Sequence, residues 1–469
     1  MGGANAPAPI DEIPEADLMD INALKQAAID AYMRSAGFSV HDDFYLDYGL
    51  GYSTTIGKDG KGTTTYSGGG YPGVPPPTTD EDYTDKWATV RTRVDNALKP
   101  WQEDRLPTSS SMHSGMQTAL DAVTALRIGQ SPSFAGDLGG YMKTVGDNAA
   151  LCHGAAMDAF NNSFANQIPK AVNNHGCLAA VVAEAWSAEE EIWKKAREDR
   201  DSVVEHATTA LKNYAESEGP NDLKFALALA GAAIAGASAV VTGGATLPFA
   251  LASAGITSLA ATADYAGELK VERKGANYEE LMTAFEHALG DVDQGIWQQE
   301  MIVRRGLLDA YSVFMTNEDL FNLTPRVSDD GDGDWDDETS LYDVKDAAGL
   351  GIILPGGGVI NSLYSGLTNL SHGVDTAEPK VTTGADDGGV LAPSAREVGL
   401  RYHGVDYYMN RIGNINASSL RDLSWDLREG KAMLEAVIRD FREADSNSQS
   451  NLDKTRKRLA AGSGDHPWI

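Results

Sequence analysis

Few residues in this sequence stand at spacings that could do chemistry. The nine histidines are scattered, with no pair at the helical spacing that would aim two imidazoles at one metal ion, and each reads as a surface or cap residue. Cys152 and Cys177 are the only two cysteines; they are too few for a thiolate zinc cluster or a disulfide scaffold and leave room for one bridge at most. No Gly-x-Gly-x-x-Gly, P-loop, Gly-x-Ser-x-Gly, His-Glu-x-x-His or Cys-x-x-Cys occurs at a usable place. Gly356-Gly357-Gly358 follows Ile352-Ile353-Leu354 as a phosphate cradle would, but without a lysine or a helix start it reads as a linker. The run SDDGDGDWDDE holds seven acidic residues between Asp329 and Glu338. An EF-hand frame begun at Asp330 puts Trp335 where the glycine belongs, and one begun at Ser328 puts Thr339 where the bidentate glutamate belongs. The run is therefore a solvated acidic loop or a weak cation site of another kind. No catalytic residue, cofactor or metal is expected.

The charge balance points away from nucleic acid. The chain has 469 residues, 68 of them acidic and 38 basic, for a formal charge of −30; a phosphate-tracking protein needs the opposite sign. At 42% apolar and 23% charged, it can bury a sizeable core. The first twenty residues lack a basic stretch followed by an apolar one, so they do not read as a Sec-type signal peptide.

The elements that would position any site are helices. One short amphipathic helix is expected over residues 23–36, and 37–82 reads as extended and mostly unpacked because its apolar residues recur at neither helical nor strand period. From Trp87 onward apolar residues step by three and four: Trp87, Val90, Val94 and Leu98, then Met116, Leu120, Val123 and Leu126, then Leu138, Met142, Val145 and Ala149. The longest stripe runs from Phe160 through Phe164, Ile168, Val172, Trp186, Trp193, Val203 and Leu211 to Tyr214. It predicts one kinked helix over 155–217, about 95 Å long at 1.5 Å per residue, with Pro169 at the kink. A second long helix is expected over 278–315, antiparallel to the first, because only two such stripes are long enough to cover each other.

Between them, residues 225–241 and 245–263 carry no charge. They predict an apolar helical hairpin turning at Gly243-Gly244, with Ala228, Ala232 and Gly236 spaced by four for close helix contact. Residues 326–395 read as an acidic and Gly-rich linker, 396–446 as a C-terminal hairpin with arms 396–412 and 418–444, and 447–469 as a flexible tail. The expected fold is thus all-α: an elongated bundle of long antiparallel helices over 83–325 with an apolar helical hairpin, a small C-terminal helical hairpin and a mostly unstructured extension over 1–82.

The stretch around residues 138–217 resembles the W-x-G helical hairpin proteins exported by type VII (ESX) secretion systems of actinobacteria. Its turn, Cys152-His153-Gly154-Ala155-Ala156-Met157-Asp158-Ala159-Phe160, is similar to that family's W-x-G-x-A-A-x-x-F run, with Cys152 in the tryptophan's place. The wider pattern over about 84–325 resembles large ESX-associated helical proteins. The resemblance implies two antiparallel helices joined at this turn and a Tyr-x-x-x-Asp/Glu export signal after the second. Three such pairs occur, Tyr214/Glu218, Tyr342/Asp346 and Tyr402/Asp406, no more than chance supplies. By position Tyr214/Glu218 is the candidate, together with the variant pair Phe441/Asp445 near the end of the last helix. The expectation is a non-enzymatic protein, secreted or envelope-associated by a non-Sec route, that binds a helical partner, a second copy of itself or secretion components. The alternatives are a membrane-active protein using the 225–263 hairpin and a cytoplasmic scaffold.

Overall fold

The computed structural model describes residues 20–67, 76–102, 106–107, 109–126, 136–217, 223–229, 269–317, 320–323, 357–377 and 405–462. The chain is mostly helical, but a small antiparallel sheet makes it other than a pure bundle.

The sheet lies in the segment expected to be unpacked. After α1 (Ile21–Ser35) the chain forms β1 (Ser39–Val40), β2 (Phe44–Gly49), β3 (Tyr52–Gly57), β4 (Lys61–Tyr66) and β5 (Thr78–Asp82). The strands pair in sequence order, every pair antiparallel, with Tyr45 opposite Ile56 and Thr54 opposite Thr64. Tyr45, Thr54, Ile56 and Thr64 are buried. The alternation is therefore present but written largely in threonine, which sits on both faces and erases the apolar contrast a period-two reading needs. Gly60, at φ 87°, closes the β3–β4 hairpin with its N–H donating to the Gly57 carbonyl at 3.0 Å. The sheet packs on Trp87 of α2 (Thr84–Leu98), whose ring meets Tyr45 edge-on at 5.5 Å.

Next come α3 (Ser109–Leu126), α4 (Gly136–Ala149) and a broken second arm. Instead of one helix over 155–217, the chain makes α5 (Ala155–Phe160), a π turn over Asn161–Ala165, and then α6 (Ile168–Glu216). Pro169 explains the break. At the second position of a new helix its missing N–H costs nothing, whereas inside a continuous helix it would cost about 3 kcal/mol. α6 alone has 49 residues and spans about 74 Å.

β6 (Leu223–Leu229) and β7 (Leu269–Gly275) pair antiparallel and lead into α7 (Tyr278–Thr316). Phe225 and Ala228 thus lie in a strand, which overturns the helical hairpin at its first turns; residues 230–268 lie outside the described residues. α6 and α7 run antiparallel in contact, as their stripes require. Asn174, near the start of α6, donates to the Leu320 carbonyl just past the end of α7 at 2.8 Å.

The supposed linker contains α8 (Gly357–Thr376), which buries Ile360, Leu363, Leu367, Leu370 and Val374. The last helix, α9 (Val405–Gly462), is a single unit of 58 residues, so the expected C-terminal hairpin and the flexible tail up to 462 are both replaced by one helix. The break expected between 412 and 418 does not occur: Asn416 is buried against His175 and the helix passes through.

These elements enclose two apolar cores. The first joins α1, the sheet, α2, most of α3, α6 from Cys177 to Leu211, α7, and α9 from Val405 to Ile412. The second joins Leu126, α4, α5, the π turn, the start of α6, α8, and α9 from Leu420 to Ile438.

Candidate functional site

The turn that carries the family resemblance is well formed. Gly154, at φ 114°, precedes α5 in a conformation that a side chain would strain. Cys152, in the tryptophan's place, is buried, its Sγ 3.4 Å from the Asn148 carbonyl. Asn161 Nδ2 donates to the Ala149 carbonyl at 3.1 Å, tying the two arms together beside the turn. Beyond that they diverge. α4 packs along α8, and α6 is covered by α3 and α7 instead; Gly115 of α3 leaves room for the Trp186 ring and Gly176 lies against Leu126. His153, between Cys152 and Gly154, is exposed.

The export-signal candidates fall in unlike settings. Tyr214 is half-buried in the last turns of α6 against the first core, whereas Glu218 lies outside the described residues. Phe441 is half-buried and Asp445 exposed, but both sit within α9, seventeen or more residues before its end at Gly462. Of the apolar-hairpin residues, Ala228 lies in β6, and Ala232, Gly236, Gly243 and Gly244 lie outside the described residues, as does the acidic run 329–338. Among the described residues no helix is long and apolar enough to cross a membrane, and no group of three His, Cys, Asp or Glu side chains could hold a metal ion. Gly357 and Gly358, read as linker, begin α8.

The feature the sequence concealed is a polar belt between the two cores. His175, expected at the surface, is 0% exposed. Its Nε2 donates to the Phe321 carbonyl at 3.0 Å and its Nδ1 lies 2.7 Å from the side-chain amide oxygen of Asn416, whose Nδ2 in turn reaches the His175 carbonyl at 3.4 Å. Burial pushes the ring below the usual histidine range, against the opposing pull of Asn416, Phe321 and Asp422. Both ring nitrogens face oxygens, so these two contacts favour the charged ring while burial favours the neutral one, and burial is the larger effect. Around this pair, the Leu323 N–H donates to Asp426 Oδ2 at 3.2 Å, Ser419 Oγ to Asn322 Oδ1 at 3.4 Å, and the Ser371 and Ser424 hydroxyls lie 3.0 Å apart. The belt therefore pins α6, α8, α9 and the segment after α7 to one another. The Asn174-His175 and Asn416 positions could have been suspected only from their place on otherwise apolar helix faces.

Neither cysteine is bridged, and they belong to different cores. Burial raises the Cys152 thiol and pushes the Cys177 thiol up to about 12, so neither supplies a thiolate at neutral pH. An open groove of about 660 Å³ lies between Tyr364 of α8 and Glu435, Arg439, Arg442 and Asn447 of α9. Burial, then the nearby Glu435, holds the Tyr364 hydroxyl at about 12, so it stays a neutral hydrogen-bonding group. Compared with protein-family models, curated proteins and solved structures, the chain matches none of them. What these features offer is long helical surface and a rigid internal junction.

Proposed function

We propose that this protein is a non-enzymatic helical binding protein of the type VII secretion substrate kind. The observation that carries the reading is the turn at 149–154, where Gly154 takes a left-handed conformation and Cys152 fills a buried position beside the hinge of two helices. That is where the W-x-G turn places its glycine and its tryptophan. Tyr214, at the end of the long second arm, is the export-signal residue in this reading, and helix faces provide the binding surface.

The test is a comparison of culture supernatant, envelope and cytosol from cells with and without an intact type VII system. Export that depends on that system, and that is lost in Tyr214→Ala protein of unchanged helicity, is the expected result. Protein confined to the cytosol of both strains removes the reading.

A further inference from the structure

Among the described residues nothing buries the C-terminal stretch of α9. Every residue from 442 to 458 is exposed, including Leu452 at 68%. Its middle reads Ser446-Asn447-Ser448-Gln449-Ser450-Asn451, residues that compete with the helix by bonding their own backbone. A helix of that composition with no packed face is marginal in water. A partner that lies along the arm removes this difficulty.

The sign of the arm's end says what kind of partner fits. Lys454, Arg456, Lys457 and Arg458 place four cations within five residues, in a chain whose formal charge is −30. The chemistry that matches is a dense carboxylate segment, and this sequence contains one, with seven acidic residues over 329–338. Its own copy of that segment is poorly placed. The Leu323 N–H is fixed on Asp426, and Arg456 lies thirty residues further along α9, about 45 Å away. A fully stretched chain covers about 3.5 Å per residue, so Asp329, Asp330 and Asp332 reach at most about 32 Å and fall short of Arg456 even with both side chains extended, and the later carboxylates reach it only with the chain close to full extension. A second copy meets no such limit. Exchange between two copies is also reciprocal, each giving an arm and receiving one, which closes a two-fold dimer.

We propose that a second copy of this chain docks on the arm, with its acidic segment 329–338 against Lys454, Arg456, Lys457 and Arg458. The contact is electrostatic and weakens with salt.

Sedimentation velocity on the full chain tests it with two charge-reversed variants. One carries K454E, R456E, K457E and R458E; the other carries D329K, D330K, D332K and D334K. The expected result is a wild-type dimer at low salt that dissociates at high salt, and homodimerisation at least roughly tenfold weaker in each variant alone. Mixing the two variants restores association, because each reversed arm then meets a reversed segment. Circular dichroism confirms that each variant keeps its helix content, as exposed positions should. A wild type that is monomeric at low salt, a dimer that survives either reversal, or a mixture that stays monomeric overturns the proposal.

Discussion

The two cores share α6 and α9 yet are filled by different means. In the first, a sheet whose inner face offers Tyr45 and Ile56 among threonines meets the Trp87 ring of α2, and Trp193 and Phe285 are buried in the helices of the same core. In the second, helices meet helices, and leucines at three- and four-residue spacing on α8 and α9 interlock with Met142, Val145 and Met157, with Phe160 and Phe164 as the two rings. A sheet face poor in volume must be filled from the opposite side, so the first core depends on a few large residues. Paired helices fill the space between them with many smaller ones, so no single residue of the second core carries as much.

Trp87→Ala is the sharpest way to break that contrast. The ring lies under Gly60 and against Tyr45, and removing it should cost about 4 kcal/mol or more, measured by denaturant titration with near-ultraviolet dichroism. Leu367→Ala in the second core should fall nearer 2 kcal/mol. Equal losses would mean the two cores are not filled differently. Trp87→Phe is expected to be much milder than Trp87→Ala, because the buried indole N–H has no hydrogen-bond partner to lose.

The belt between the cores gives the next largest effect. Asn416→Leu leaves His175 Nδ1 buried and unpaired, at a cost of about 1–3 kcal/mol. The double variant His175→Leu, Asn416→Leu should cost less than the two single changes together, since it removes both partners at once. Additive losses in a double-mutant cycle would show that the pair does not act as a unit.

How much of this could be read in advance follows from the same contrast. The seams of α6 and α7 were legible residue by residue: Val172, Trp186, Trp193, Val203, Phe285, Val292 and Leu307 are all buried where the helical period puts them. The sheet was hidden by threonines on both faces, and the signal that was available, Asp59-Gly60 between β-branched runs, is a hairpin turn. α8 was hidden by glycine-rich flanks, although Ile360, Leu363, Leu367, Leu370 and Val374 keep a regular three-four spacing. The candidate turn was legible at Gly154 but not in its surroundings, because the sequence cannot say that α3, and not α4, lies along α6. The belt was illegible because a polar residue such as Asn416 carries no sign in the sequence of the buried partner it bonds.

Acid should act on the belt before it acts on either core. A ring whose pKa is lower in the folded chain than in the unfolded one binds fewer protons when folded. Stability therefore falls as the pH drops below about 6.5 and levels off once the folded ring titrates. The field of Asp422 favours the charged ring, and burial outweighs it. The melting temperature of the wild type should fall relative to His175→Gln between about pH 7 and pH 5. Parallel curves for the two proteins would mean that His175 does not titrate across that range.

The smallest effect sharpens the comparison at the surface. Arg93 on α2 bridges to α7, with Nη1 2.6 Å from Glu279 Oε2, Nε 2.7 Å from Glu286 Oε1 and Nη2 3.2 Å from Glu286 Oε2. It thus ties two elements of the first core from outside. Beside the second core, Lys143–Asp147 and Lys431–Glu435 each stay within one helix and hold nothing together. The forked geometry on Glu286 favours Arg93 over a lone exposed pair, but the side chain is 27% exposed and Glu279 70% exposed, so water and salt screen much of the attraction. Arg93→Gln should cost about 1 kcal/mol or less at low salt and progressively less as salt rises, while Lys143→Gln should be nearly neutral at any salt. Both are read from urea midpoints at several ionic strengths. If Lys143→Gln cost as much as Arg93→Gln, a bridge between elements would be worth no more than a pair within one helix, and the ion pairs would not distinguish the two cores.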